Sequence, residues 1–243
     1  MEKLNERQKK LLKAIVEKYI DTGVPVGSET IEKEAGLGVS PATIRNEMIK
    51  LTKAGLLTQT YTSAGRIPTS QGIKFYVNEL METRDIPVKD EVATKEELWQ
   101  KRFEIDPLLR HATKLLADQT GIMSLAATPQ GNVYSAGLAN ILDLPEFYDI
   151  DLTKGVLSLL DRFDLIDRIF LQFFSEDPVQ IILGDDLDLE YLQPVGFVFT
   201  QIKSGSQLSG SIGVVGPARL NYPIVIPRVR YIGNLINEIT KNW

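Results

Sequence analysis

The apolar positions in the N-terminal third of the chain fall into short helical stripes. From Asn5 to Tyr19, Leu11, Leu12, Ile15, Val16 and Tyr19 recur at spacings of three and four, with Lys9, Lys10, Lys13 and Lys18 largely between them, which predicts an amphipathic helix. Gly23, Pro25 and Gly27 break it, and a second, shorter helix carries Ser28, Ile31 and Ala35 before Gly36 ends it. After the Leu37-Gly38-Val39 turn, Ser40 is a predicted N-cap and Pro41 takes the first helical position, where a missing N–H is tolerated. The helix they open places Ile44, Met48 and Leu51 on one side and Thr43, Asn46, Lys50 and Lys53 on the other, with Arg45 on the flank. Gly55 stops that helix. A β-like run from Leu57 to Thr62 leads into a Ser63-Ala64-Gly65 turn, followed by Arg66, Ile67 and Pro68. Two helices joined by a glycine-containing turn, then a small hairpin with an arginine at its tip, form the pattern of a winged helix-turn-helix.

Beyond Thr69, a helix with Ile73, Phe75, Tyr76, Val77 and Leu80 closes this first region. The stretch from Glu82 to Ala93 has Pro87, alternating charges and few apolar anchors, so it reads as a linker. Thr94 with Glu97 makes a capping-box pattern that opens a helix bearing Leu98, Trp99 and Phe103. A further helix starts at Asp106-Pro107 and carries Leu108, Leu109, Ala112, Leu115 and Leu116. Gly121 ends it, and Ile122–Ala127 and Val133–Ala136 read as a hairpin around a Thr128–Asn132 turn. A helix around Leu152 to Arg162, β-like runs at Val179–Leu183, Val195–Ile202 and Ser211–Val215, and a long helix from about Pro223 to Lys241 complete the chain. Strands flanked by helices indicate an α+β fold built on a mostly antiparallel sheet. The expected organisation is 1–82 as the winged helix-turn-helix, 83–97 as linker and 98–243 as the α+β domain.

Length and composition agree with two domains, since 243 residues at 43% hydrophobic content can fill two cores. The formal charge of -5 is unevenly placed. Residues 1–84 carry 13 Lys+Arg against 10 Asp+Glu, whereas the remaining 159 carry 14 against 22, so an acidic chain has a mildly basic N-terminal segment. Cysteine is absent, which excludes disulfides, thiolate metal sites and cysteine nucleophiles. No apolar run approaches the ~18 residues of a bilayer span and the N-terminus has no apolar signal region, so a cytoplasmic location without membrane contact is expected.

The candidate chemistry is that of nucleic-acid recognition. In a helix-turn-helix the second helix brings its N-terminal residues to the base edges of the major groove; here these are Ser40, Ala42, Thr43, Arg45 and Asn46. Arginine can donate two hydrogen bonds to guanine and asparagine can pair with adenine, while the small Ala42 and Thr43 admit the backbone or touch a thymine methyl. Arg66, with Lys50, Lys53 and Ser63, is expected at phosphate or the minor groove, fixing position more than sequence. Other clusters carry less. Asp185, Asp186, Asp188 and Glu190 lack the spacing and glycine of a calcium loop and read as a solvated connection, so no metal is assigned. Gly210, Gly213 and Gly216-Pro217 are followed by no Gly-Lys-Ser/Thr and read as packing and turn residues. Asp161, Asp164 and Asp167 read as a solvated helix face, and His111 as an exposed, incidental histidine. No nucleophile, base and orienting group come together in the pattern, so neither an enzyme nor a cofactor is expected.

The residues themselves narrow the reading. The runs TGVPVGSETI and GLGVSPATIRNEMIKLTKAGLLTQTYTSAGRIPTSQG, with FYVNEL after them, closely resemble the DNA-binding domain of the heat-inducible transcription repressor HrcA family. GLANILDLPEF, VQIILGDD and SGSIGVVGPARLNYPIVIPRVRYIGNLI resemble its second, GAF-like domain. The resemblance implies a homodimeric repressor at an inverted-repeat operator, in double-stranded DNA upstream of chaperone operons, whose active form the chaperonin helps maintain. Members of the family carry an inserted dimerising subdomain before the GLANIL-like segment; this chain has only Ile122 to Ala136 in that region and reads as a short form lacking most of the insert. A regulator gated by a small molecule in the GAF-like domain is the alternative reading, and an interaction module without operator function is a third.

Overall fold

The structure, a computed structural model, describes residues 4–36, 38–59, 65–171, 177–187, 189–204 and 207–241. The chain divides into two compact units, Met1–Glu82 and Thr83–Trp243. In the first, α1 (Glu6–Thr22) starts at a reciprocal cap: Asn5 Oδ1 accepts from the Gln8 N–H at 2.9 Å and Gln8 Oε1 from the Asn5 N–H at 3.1 Å. Helices α2 (Ser28–Ala35) and α3 (Pro41–Lys53), strands β1 (Leu57–Thr58) and β2 (Ile67–Pro68), and α4 (Ser70–Glu79) follow. Leu11, Leu12, Ile15 and Val16 of α1, Ile31 of α2, Ile44, Met48 and Leu51 of α3, and Ile73 and Tyr76 of α4 bury one core together with Leu56 and Leu57. The last buried position of α1 is Ile20; Tyr19 stays half-buried. Thr69 joins the hairpin to α4, its hydroxyl donating to Gly55 O at 2.6 Å and accepting from the Gly72 N–H at 3.0 Å.

The second unit is built on an antiparallel five-stranded sheet of order β4-β3-β7-β6-β5, comprising β3 (Met123–Ala127), β4 (Val133–Ala136), β5 (Gln180–Leu183), β6 (Val195–Ser204) and β7 (Gln207–Pro217). Alternation along the strands gives the sheet two buried faces. Met123, Leu125, Phe197, Phe199 and Val215 point into a core shared with Ile141, Phe147, Val156, Leu159, Ile166 and Phe170. These last come from α7 (Ile150–Leu157), α8 (Phe163–Ile166) and the short 3-10 and π turns around them, including the Ser158–Asp161 turn where the sequence pattern continues a regular helix to Arg162. Phe170 lies edge-on to Phe197 at 6.2 Å and tilted against Phe199 at 4.9 Å. On the opposite face, α6 (Ile105–Thr120) and α9 (Tyr222–Thr240) cover Ala126, Val198, Thr200, Ile212 and Val214. Gly233 allows this: a Cβ there would lie 2.2 Å from Thr200 Cγ2. Pro227, inside α9, cannot donate to the Pro223 carbonyl, which instead accepts from the Arg84 N–H at 3.0 Å.

The stretch read as a linker is helical over most of its length. Helix α5 (Val88–Trp99) begins after Pro87 and packs on α6 and α9 of the second unit. Thr94 is in its interior and buried, its hydroxyl donating to Asp90 O at 2.7 Å, so the capping-box pattern with Glu97 does not start a helix here. The helix stops at Trp99, leaving Phe103 in an exposed turn. His111 is not an exposed bystander but half-buried, with Nε2 2.8 Å from Glu97 Oε2. Segment 122–136, where members of the family carry the insertion that this chain is expected to lack, is a plain hairpin closed by Thr128 N–H to Asn132 O at 3.0 Å. In the acidic cluster, Asp186 Oδ2 accepts from the Leu183 N–H at 2.8 Å and so ends β5, while Asp188 lies outside the described residues. Among the described residues no helix is long and apolar enough to cross a membrane.

Candidate nucleic-acid interface

Helix α3 is aimed by its own ends and by its neighbours. Gly36 and Gly38, at φ 56 and 66, take the left-handed turn between α2 and α3 that a side chain would strain. Ser40 Oγ then accepts from the Thr43 N–H at 3.3 Å and lies 3.1 Å from Thr43 Oγ1, so these two candidate base readers are engaged with one another at the helix start. Burying Ile44, Met48 and Leu51 turns Ala42, Arg45, Asn46, Ile49 and Lys53 outward. Lys50 is on the flank that faces α1. Its ammonium bonds Glu47 Oε1 at 2.9 Å, and Glu47 Oε2 accepts from Gln8 Nε2 at 3.1 Å. The Lys50 hydrogen bond, helped by that of Gln8, holds the Glu47 carboxyl below the usual glutamate range.

On the other flank the hairpin is drawn onto the recognition helix. Val26 and Arg66 exchange both backbone hydrogen bonds at 2.9 Å, so the base of the wing pairs with the loop between α1 and α2. Gly65 permits this approach, because a Cβ there would lie 2.4 Å from Val26 O. Gly65→Ala is therefore expected to cost about 1–3 kcal/mol through overpacking, read as a lower denaturant midpoint for the full chain. The Arg66 Nε–H donates to Thr52 Oγ1 at 3.3 Å and Nη1 to Gly65 O at 3.4 Å, which fixes the guanidinium beside α3. Arg45, Met48, Ile49, Gln59, Gly65 and Arg66, with Gly27–Thr30 at the start of α2, line an open groove of about 540 Å³. Ser63 lies outside the described residues. The sequence pattern alone missed Ile49, an isoleucine 40% exposed on the outward side of the helix, and Gln59. Its i, i+4 spacing from Arg45 carried the signal for Ile49.

This geometry is matched by what the chain is similar to. A DeoR-like helix-turn-helix domain matches residues 29–70, which span α2, α3 and the two wing strands. The HrcA protein C-terminal domain matches residues 56–226, well over half of the chain. The chain belongs to the HrcA family. The heat-inducible transcription repressor HrcA of Symbiobacterium thermophilum is 26% identical, with 98% of this chain and 99% of that protein aligned. The repressor of the same name from Acetivibrio thermocellus is 25% identical over 97% and 96% of the two chains. A crystal structure described as that of a hypothetical protein superposes with a TM-score of 0.81 at 20% identity, covering 98% of this chain and 99% of that one, and shows the same fold. These HrcA relatives are transcription repressors, not enzymes. The alignment with the Symbiobacterium protein runs over 338 positions against 243 residues here, so about a hundred of its positions have no counterpart in this HrcA chain.

Proposed function

We propose that this HrcA chain is a sequence-specific repressor that binds an inverted-repeat operator of chaperone operons as a homodimer. The observation that carries the reading is the outward side of α3, where Ala42, Arg45, Asn46 and Ile49 stand exposed in one row next to a wing arginine already fixed against Thr52. Arg45 and Asn46 have the donors and acceptors to read guanine and adenine, and Ala42 and Ile49 offer apolar contact to thymine methyls. Lys53 and Arg66, with Ser63, take the phosphate contacts; Lys50 is committed to Glu47 and has a lesser part. Ser40 and Thr43 shape the start of the helix and offer their hydroxyls at its edge. The heat-inducible character in the relatives' names supports a stress signal; the partner proposed to keep the repressor active is the chaperonin, as the sequence resemblance implies.

The test is selection of binding sites from a randomised duplex pool, followed by titration of the selected site and a scrambled control. Enrichment of an inverted repeat is the expected result, and a pool that stays random would dismiss the reading. On the selected site, replacing thymine by uracil is expected to weaken the wild type more than Ile49→Ala; an equal loss in both would remove Ile49 from the base contacts. Arg66→Ala should weaken selected and scrambled duplexes alike and reduce the slope of log K against log salt by about one phosphate contact, about 0.9. An unchanged slope would show that Arg66 meets no phosphate.

A further inference from the structure

Helix α5 has two faces of different character. Thr94 and Leu98 are buried against the second unit, where Tyr231 Oη donates to Glu91 O at 2.8 Å and Gln119 Nε2 to Thr94 Oγ1 at 2.6 Å. Turned away from that stripe, Val88, Val92 and Trp99 are 73%, 51% and 46% exposed, and Lys95 completes the series 88, 92, 95, 99. Steps of four, three and four are the a/d repeat of a helix that packs along another helix. Arg102, the next position of the repeat, lies over the Trp99 and Phe103 rings at 5.3 and 4.2 Å and carries the stripe past the helix end. One exposed valine needs no explanation; an apolar seam in register on an otherwise charged helix does.

The charges beside the seam select its partner. Parallel pairing with the same helix of a second copy would set Lys95 against Lys95 and Glu91 against Glu96, like against like. Antiparallel pairing instead sets Val88 against Trp99, Val92 against the stem of Lys95, and exposed Lys89 against exposed Glu96, each contact occurring twice about a two-fold axis. Lys95 Nζ lies 3.8 Å from Glu238 Oε1, so its charged head has an acidic neighbour while its stem lies along the seam. We infer that the outer stripe of α5 is the contact between two copies of this chain, packed antiparallel helix on helix. The inference rests on the homodimer reading above and gives it a surface. A two-fold contact of this kind has the symmetry of an inverted repeat. A helix of 12 residues covers little area, so the free dimer is weak and DNA carrying both half-sites strengthens it.

Sedimentation of the full chain over a concentration series, alone and with a duplex bearing the selected inverted repeat, reads the pairing. Lys89→Glu and Glu96→Lys each put like charges across the seam twice and are expected to raise the dimer dissociation constant about tenfold at low salt. Both are surface changes, and the chain carrying the two together restores opposite charges and should regain the wild-type constant. Val92→Asp is expected to abolish the dimer. A wild-type chain that stays monomeric with and without DNA overturns the inference, as does a dimer that neither charge reversal weakens or a double reversal that fails to restore pairing. A dimer that follows the charge pattern yet shows no preference for the inverted repeat upholds the interface and removes the operator reading.

Discussion

Arg45→Ala is expected to lower the preference for the selected operator over a scrambled duplex by about 5- to 150-fold, the equivalent of about 1–3 kcal/mol for one bidentate base contact. Arg45 is exposed on the first turns of α3, with its backbone held by a helix whose inner side is buried through Ile44, Met48 and Leu51. Truncating it removes recognition while leaving the core intact, so the melting temperature should stay close to that of the wild type. Fluorescence anisotropy with both duplexes checks this, and equal discrimination in variant and wild type would sink the assignment. Asn46→Ala should cost a similar amount at a different base pair, whereas Lys53→Ala should weaken both duplexes without changing their ratio.

Phe199→Ala should cost about 3–5 kcal/mol of stability, the range for deleting a buried aromatic ring. The ring is fully buried and lies tilted against Phe170, and the same core face holds Phe197. Its partner across β7 is Gly213, where a Cβ would lie 2.4 Å from Phe199 Cβ, so the sheet has made room for this side chain at a defined register position. Guanidinium unfolding followed by far-UV circular dichroism measures the loss; a midpoint unchanged from wild type would mean that the cavity collapses at no cost. Because Phe199 belongs to the second unit, the intrinsic affinity of the winged helix for a single half-site should survive the substitution at temperatures where the chain stays folded.

Local signals carried much of the first unit. The Ser40-Pro41 start, the glycines at 36, 38 and 55, and the stripe of Ile44, Met48 and Leu51 act over a few residues, so their consequences were readable before any contact was known. The helix α5 was harder, for a physical reason. Only Thr94 and Leu98 face the unit that holds it, while its valines and tryptophan face away, so the apolar pattern did not reveal how it is anchored. Its stability comes from Gln119, Tyr231 and the neighbouring helices, which are distant in sequence. The turns between Leu138 and Leu171 were likewise obscure, because a run of 3-10 and π segments has no single period to detect.

For this protein the sequence by itself determined the helix of the helix-turn-helix that carries the candidate base readers, most of its outward residues, most of the strands and the family, since each depends on residue type and short spacing. The tertiary structure alone decided which cations are available at that side. Glu47, which pairs with Lys50 one turn along α3, is also held by Gln8 of α1, and Arg66 is aimed by Thr52 because Gly65 lets the wing close on Val26. The contacts of Gln8 with Glu47, Val26 with Arg66 and Arg66 with Thr52 join separate segments of the chain, and only the packed core brings them within hydrogen-bond distance.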